Sequence, residues 1–318
     1  MKMIKKRRSF IIGIKSTNLN KKEVFLLKKY KPWGVILFSR NIKSIKQAQN
    51  LTQHIKKIFN DKNYPILIDQ EGGRVSRLNK FIDTSIFTAE YFGKLYSKNN
   101  KKFNIYLEIY IKQISYLLKL IGVNINTVPV LDVRRNFTNN IIYDRSYSKN
   151  PKIVSRIGRL SIKYFHKFGI ATVIKHIPGH GLAKTDSHKS LPIIDENINT
   201  LSKYDFYPFK KQKSILAMTA HIIYKSIDKK NPATHSEKII KLIRKKIKFN
   251  KIIISDDISM KALKYSIKEN TIRAFKAGCN IVLHCNGNYS EMIEVAKNSP
   301  LTSDFILKKT SNIINIVR

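Results

Sequence analysis

Residues 170–188 read IATVIKHIPGHGLAKTDSH. The apolar, β-branched run 170–174 predicts a buried strand. It delivers Lys175 and His176 just before Pro178-Gly179 breaks it. A polar loop follows and ends in Asp186, Ser187 and His188. Lys175, three histidines and an aspartate therefore lie within fourteen residues where a strand stops. Open α/β sheets and barrels carry their chemistry at the carboxyl ends of strands. An aspartate two residues from a histidine can also orient the imidazole and raise its basicity. A loop of satisfied polar side chains would account for any one of these histidines; the crowding of five ionisable groups points to a site.

Working outward, similar apolar runs occupy residues 9–14, 34–40, 64–70, 122–133, 214–221, 251–257 and 279–285. Helical patterns separate many of them, over 21–30, 44–60, 104–121 and 151–168. With the run at 170 this makes eight buried-type strands alternating with helices. That predicts an α/β fold with a parallel sheet, and eight is the number that closes a (β/α)8 TIM-type barrel. No linker is evident, so one domain over 1–318 is expected. Asp69, Asp132, Lys175, His176, His221, Asp256, Asp257 and His284 all fall at or near carboxyl ends of these runs. A barrel would gather them around one mouth.

The composition excludes more than it assigns. With 42% hydrophobic residues the chain can build a large core. Its net charge of +40 has three readings: a nucleic-acid surface, a general attraction for anions, or drift toward lysine, isoleucine and asparagine. The lysines are spread along the whole chain, which favours drift. Cys279 and Cys285 have no C-x-x-C partners, so reduced thiols in a cytoplasmic protein are expected. The basic N-terminus precedes an apolar run too short for a signal peptide, and no run reaches the roughly 18 apolar residues of a membrane span. There is no phosphate-loop motif, no dinucleotide fingerprint and no H-E-x-x-H. Pro178-Gly179 separates His176 from His180 and removes a helical zinc pair. Neither a metal nor another cofactor is expected.

Three further stretches carry candidate chemistry. Asp256 and Asp257 follow 252–254. A carboxylate at the lip of an apolar strand suits a nucleophile or base, whereas Asp257 could begin a helix as its N-cap. Asp256 is assigned the chemistry and Asp257 the support. Asp69 precedes Gly72-Gly73, a turn that lets backbone approach a ligand; it could equally pair with Arg74. Arg77 and Arg145 could clamp a polar or anionic group.

With these motifs in place the chain resembles the family 3 glycoside hydrolases, and among them the single-domain bacterial β-N-acetylglucosaminidases. The resemblance runs from about residue 9 to 290. It rests on GVILFSRNI (34–42), IDQEGGRVSRL (68–78), PVLDV (129–133), DRSY (144–147), KHIPGHG (175–181) with DSH (186–188), IISDDISM (253–260) and AGCNIVL (277–283). Tyr143 stands where the family usually has glycine. The resemblance implies cleavage of terminal β-1,4-linked N-acetylglucosamine from peptidoglycan fragments with retention of configuration. It implies Asp256 as nucleophile, His188 paired with Asp186 as acid/base, and Asp69, Arg77, Arg145, Lys175 and His176 as substrate-binding residues. It also implies a small glycan substrate (N-acetylglucosaminyl-anhydro-muramic acid, with or without peptide), a cytoplasmic monomer, and no specific nucleic acid. The loop bearing His188 is expected to open and close. Two other readings stay open: a phosphorolytic variant in which phosphate replaces water, and a basic nucleic-acid-binding protein on a relic barrel.

Overall fold

A computed structural model describes residues 6–136, 142–183, 185 and 190–317. In chain order the elements begin β1 (Arg8–Gly13), α1 (Lys21–Tyr30), β2 (Pro32–Leu37), α2 (Ile45–Phe59), β3 (Ile66–Ile68), α3 (Ala89–Lys98), α4 (Asn100–Leu120) and β4 (Ile125–Asn126). They continue α5 (Pro151–Lys167), β5 (Ala171–Ile177), β6 (Ile193–Ile194), α6 (Ile198–Lys203), β7 (Leu216–Thr219), β8 (Ile223–Tyr224), α7 (Glu237–Leu242) and β9 (Ile252–Asp257). The last are α8 (Ile267–Ala277), β10 (Ile281–His284), α9 (Tyr289–Asn298) and α10 (Asp304–Val317). Eight strands close a barrel in the order β1-β10-β9-β7-β5-β4-β3-β2, every pairing parallel. This is the (β/α)8 architecture that the eight apolar runs predict. No helix among the described residues is long and apolar enough to cross a membrane.

The strands are apolar throughout because both faces are covered. Ile11, Leu67, Ile125, Val173, Leu216, Met218, Ile252, Ile254, Ile281 and Leu283 fill the barrel interior. Their neighbours Phe10, Ile12, Ile174, Ala217, Ile253 and Val282 pack outward on the helices. Ile306 and Ile313 of α10 join the interior cluster, and the Trp33 indole donates to Thr310 Oγ1 of that helix at 3.0 Å. The chain's last helix thus packs against barrel residues that the strands alone leave uncovered.

Local signals explain the helices. In α2, Ala48, Leu51, Thr52 and Ile55 recur at helical spacing and are buried; Ser44 caps the start by accepting from Gln47 N at 3.2 Å, and Asn60 ends it in the left-handed region. Losing such a cap costs about 1 kcal/mol. In α5, Asn150 caps and Pro151 sits at the first helical turn. Gly158 of that helix lies against Leu131, where a Cβ would come within 2.4 Å of a methyl group.

Some expectations shift. The 122–133 run forms only two residues of regular strand, β4; Pro129 lacks the N–H a ladder needs, although an isolated bridge still joins Val130 to Lys175. The helix expected at 104 begins at Asn100, capped by Asn99. No helix starts at Asp257; the next one is α8, capped by Ser266. The α3 helix and the small β6–β8 ribbon had no expectation attached to them.

Candidate active site

The side chains of Asp69, Arg77, Arg145, Lys175, His176 and Asp256 line one cavity of about 320 Å³. They come from the ends of β3, β5 and β9 and from the loops after β3 and β4. Phe38, Met218, Met260, Leu283 and Cys285 supply an apolar wall. Asp186 and His188 lie outside the described residues.

A buried charge network forms the β3–β5 side. Lys175 Nζ, on a side chain only 3% exposed, donates to Asp69 Oδ1 and stands 2.7 Å from Glu71 Oε1. Arg145 grips Glu71 with two hydrogen bonds of 2.7 and 2.8 Å. Arg77 Nη2 pairs with Asp69 Oδ2 at 3.1 Å, and Thr127 Oγ1 donates to Asp69 Oδ1 at 2.5 Å. Burial alone would raise the Asp69 carboxyl, but Lys175, Arg77 and these hydrogen bonds hold it well below the usual carboxylate range. Burial and Arg145 compete in the same way at Glu71, and the net direction is down. Lys175 is raised: burial opposes its charge, and Asp69 and Glu71 outweigh burial. Asp69 therefore pairs with Lys175 and Arg77; Arg74 instead meets Asp144 at 2.9 Å.

His176 is held from behind. Its Nδ1 lies 2.7 Å from Asp132 Oδ2, and Asp132 Oδ1 accepts from the backbone N–H of His176 and His180 at 3.2 and 2.7 Å. Burial opposes the Asp132 charge, and His176 and these donors lower its carboxyl overall. With Nδ1–H donated to Asp132, Nε2 is the imidazole nitrogen left for the cavity. Lys175 and His176 are consecutive, and a regular strand would send them to opposite faces. A register shift between Ile174 and Ile177 in the β5–β7 ladder lets both line the cavity.

On the far wall, Asp256 continues the inward series Ile252, Ile254 of β9. Its burial favours the acid form, but His221, His176 and the Asp257 N–H donated at 2.8 Å keep the carboxyl below its ordinary value. Asp257 serves structure: its Oδ1 accepts from Ser259 N at 3.0 Å and from Cys285 N at 3.1 Å. Cys285 is half-buried in the cavity wall, and burial beside Asp257 and Asp256 pushes its thiol well above the ordinary range. His284, the preceding residue, faces outward to Glu291 of α9 at 2.8 Å and takes no part in the cavity. His221 is fully buried behind β9.

Glu71, Asp132 and Thr127 had no role assigned from sequence. Period-two parity was the available signal for two of them, since Leu67, Asp69 and Glu71 share one face of β3 and its continuation, as do Ile125 of β4 and Thr127 just beyond it. The same parity sends His284 out and Cys285 in.

The chain matches the glycosyl hydrolase family 3 N-terminal domain over residues 2–316. It is a family 3 glycosyl hydrolase. The β-hexosaminidase of Idiomarina loihiensis is 32% identical over 285 residues, 87% of this chain and 83% of that protein. β-Hexosaminidase A of Pseudoalteromonas piscicida is 31% identical over 280 residues, 81% of this chain and 46% of that protein, so the chain spans about half of that relative. Among solved structures, NagZ from Neisseria gonorrhoeae in complex with N-trifluoroacetyl-D-glucosamine superposes with a TM-score of 0.87 at 28% identity, covering 97% of this chain and 90% of that one.

Proposed function

We propose that this chain is a retaining exo-β-N-acetylglucosaminidase acting on peptidoglycan fragments. The observation that carries the reading is the carboxylate of Asp256 in the cavity wall, kept ionised despite burial and shared with Asp69, Lys175, His176, Arg77 and Arg145. The names of the relatives support the N-acetylglucosamine specificity. A small cavity of about 320 Å³ suits one terminal sugar and hence exo cleavage.

In this reading Asp256 attacks the anomeric carbon through an oxocarbenium-like transition state and forms a glycosyl-enzyme. The bond to the leaving oxygen breaks as His188 donates its proton there. His188, oriented by Asp186, then takes a proton from water as the water attacks the anomeric carbon and frees Asp256. A neutral base does not repel the carboxylate nucleophile. Lys175, His176, Asp69, Arg77 and Arg145 hold the sugar's hydroxyl and acetamido groups. The physiological substrate is N-acetylglucosaminyl-anhydro-muramic acid, with or without peptide, in cytoplasmic cell-wall recycling. The barrel over 1–318 acts as one catalytic domain and as a monomer. Lys175 is the one buried lysine among the described residues, and with Arg77 and Arg145 it supplies positive charge to the cavity.

The test is hydrolysis of a chromogenic β-N-acetylglucosaminide, with and without phosphate, and with a β-glucoside as control. Loss of turnover in Asp256→Ala and His188→Ala, with a raised KM in His176→Ala, is the expected result. Activity surviving Asp256→Ala would refute the nucleophile; turnover that requires phosphate would make the enzyme a phosphorylase.

A further inference from the structure

The β7–β9 ladder stops before the residue it has to place. Its pairs are Leu216 with Ile252, Ala217 with Ile253 and Met218 with Ile254, so Asp256 and Asp257 extend beyond the last pairing on that side. Side chains take over where the backbone ladder ends. Asp256 N–H donates to Thr219 Oγ1 at 3.3 Å. Thr219 Oγ1 lies 2.8 Å from Thr234 Oγ1, and Thr234 Oγ1 lies 2.7 Å from His221 Nδ1. His221 Nε2 lies 2.9 Å from the Asp257 carbonyl oxygen. Thr219, His221 and Thr234 are all 0% exposed.

The hydrogens can be assigned by following the acceptors. A carbonyl only accepts, so His221 carries its proton on Nε2 and donates it to Asp257. Nδ1 of that tautomer accepts from the Thr234 hydroxyl. Thr234 Oγ1 accepts from the Thr219 hydroxyl, and Thr219 Oγ1 accepts from Asp256 N–H. Each hydroxyl accepts once and donates once. The contact of Thr234 Oγ1 to Ala220 O, at 3.3 Å, is a longer and weaker alternative for the same hydrogen. Thr234 reaches this point because it sits in the short turn Ala233–His235, away from β7 in sequence and beside it in space.

We propose that His221, Thr234 and Thr219 are positioning residues for the reaction: they close a hydrogen-bond ring from the N–H of Asp256 to the carbonyl of Asp257 and so aim the Asp256 carboxylate at the anomeric carbon. This rests on the reading of Asp256 as nucleophile. None of the three lines the cavity, so none is a binding residue. Misplacing a reacting group by about 1 Å costs on the order of a hundredfold in rate. The ring therefore acts on kcat and leaves substrate affinity alone.

Thr234→Val keeps the side chain's volume and removes the hydroxyl; Thr234→Ser keeps the hydroxyl. His221→Gln retains an N–H donor toward Asp257. The assay is steady-state hydrolysis of a chromogenic β-N-acetylglucosaminide, with kcat normalised to folded protein by circular dichroism and Asp256→Ala run beside it. Thr234→Val is expected to lower kcat ten- to a hundredfold with KM within twofold, Thr234→Ser to restore kcat to within threefold of wild type, and His221→Gln to fall between. If Thr234→Val does not fold, Thr219→Val removes the next link with the same expectation. A folded valine variant with wild-type kcat, or one that raises KM alone, overturns the proposal while an inactive Asp256→Ala leaves the nucleophile standing. An active Asp256→Ala instead refutes the nucleophile and the ring's purpose with it.

Discussion

Lys175→Met removes the cation that two buried carboxylates share. Met has nearly the stem length of lysine, so the change deletes charge with little loss of volume. Lys175 is 2% exposed and contacts both Asp69 and Glu71, while Arg77 and Arg145 keep one carboxylate each. Breaking a buried pair by removing one partner costs about 3–5 kcal/mol, because the other charge stays behind without solvent. At about 2 cal mol⁻¹ K⁻¹ of unfolding entropy per residue, 318 residues turn this into a fall in Tm of about 4–8 °C. The loss must also depend on pH. Asp69 and Glu71 are lowered in the folded protein, so the stability they contribute is fully present above the unfolded carboxyl pKa of about 4 and declines as pH falls through the folded values. Lys175 is raised, so its part persists through neutrality and is lost only as pH rises above its folded value. Urea denaturation of wild type and variant at pH 7, 5 and 3 should therefore show a difference that is largest at pH 7 and shrinks at pH 3. A difference below about 1 kcal/mol at pH 7, or one unchanged at pH 3, would refute the network as described.

Asp132→Asn should cost about 1–3 kcal/mol by urea denaturation and raise KM for the glycoside, since the carboxylate is the acceptor for His176 Nδ1 and for two backbone N–H groups. On the proposed mechanism, in a pH profile of kcat/KM the acid limb should lie below the ordinary carboxylate range, because Asp256 is held under its ordinary value, and an alkaline limb should mark the loss of the His188 proton. A substrate whose leaving group needs no protonation should lose the alkaline limb only; an alkaline limb that persists unchanged would count against a histidine acid. Gly181→Ala would put a Cβ within 1.8 Å of the Val133 carbonyl oxygen, so a drop in stability of about 1–3 kcal/mol and a fall in kcat are expected from thermal melts and kinetics.

Much of the site could be read from the chain because its residues sit in short strand-end motifs. Asp256 follows the inward parity of Ile252 and Ile254, and Lys175 follows that of Ala171 and Val173. Asp69, Arg77, Arg145 and His176 also reach the cavity. The assignment of His188 and Asp186 came from the family motif, and those two lie outside the described residues.

The sequence by itself determined the eight apolar strands, their alternation with helices and hence the barrel, because strand burial and helix capping are encoded within a few consecutive residues. It did not determine which charges neutralise which. That Glu71 shares Lys175 with Asp69 and takes Arg145, that Asp132 stands behind His176, and that Thr234 reaches back to Thr219 and His221 are outcomes of barrel closure. These partners are separated by 13 to 106 residues along the chain. Electrostatic and hydrogen-bond energies depend on distances of a few ångströms and on the water excluded between the groups, and only the assembled tertiary structure sets either.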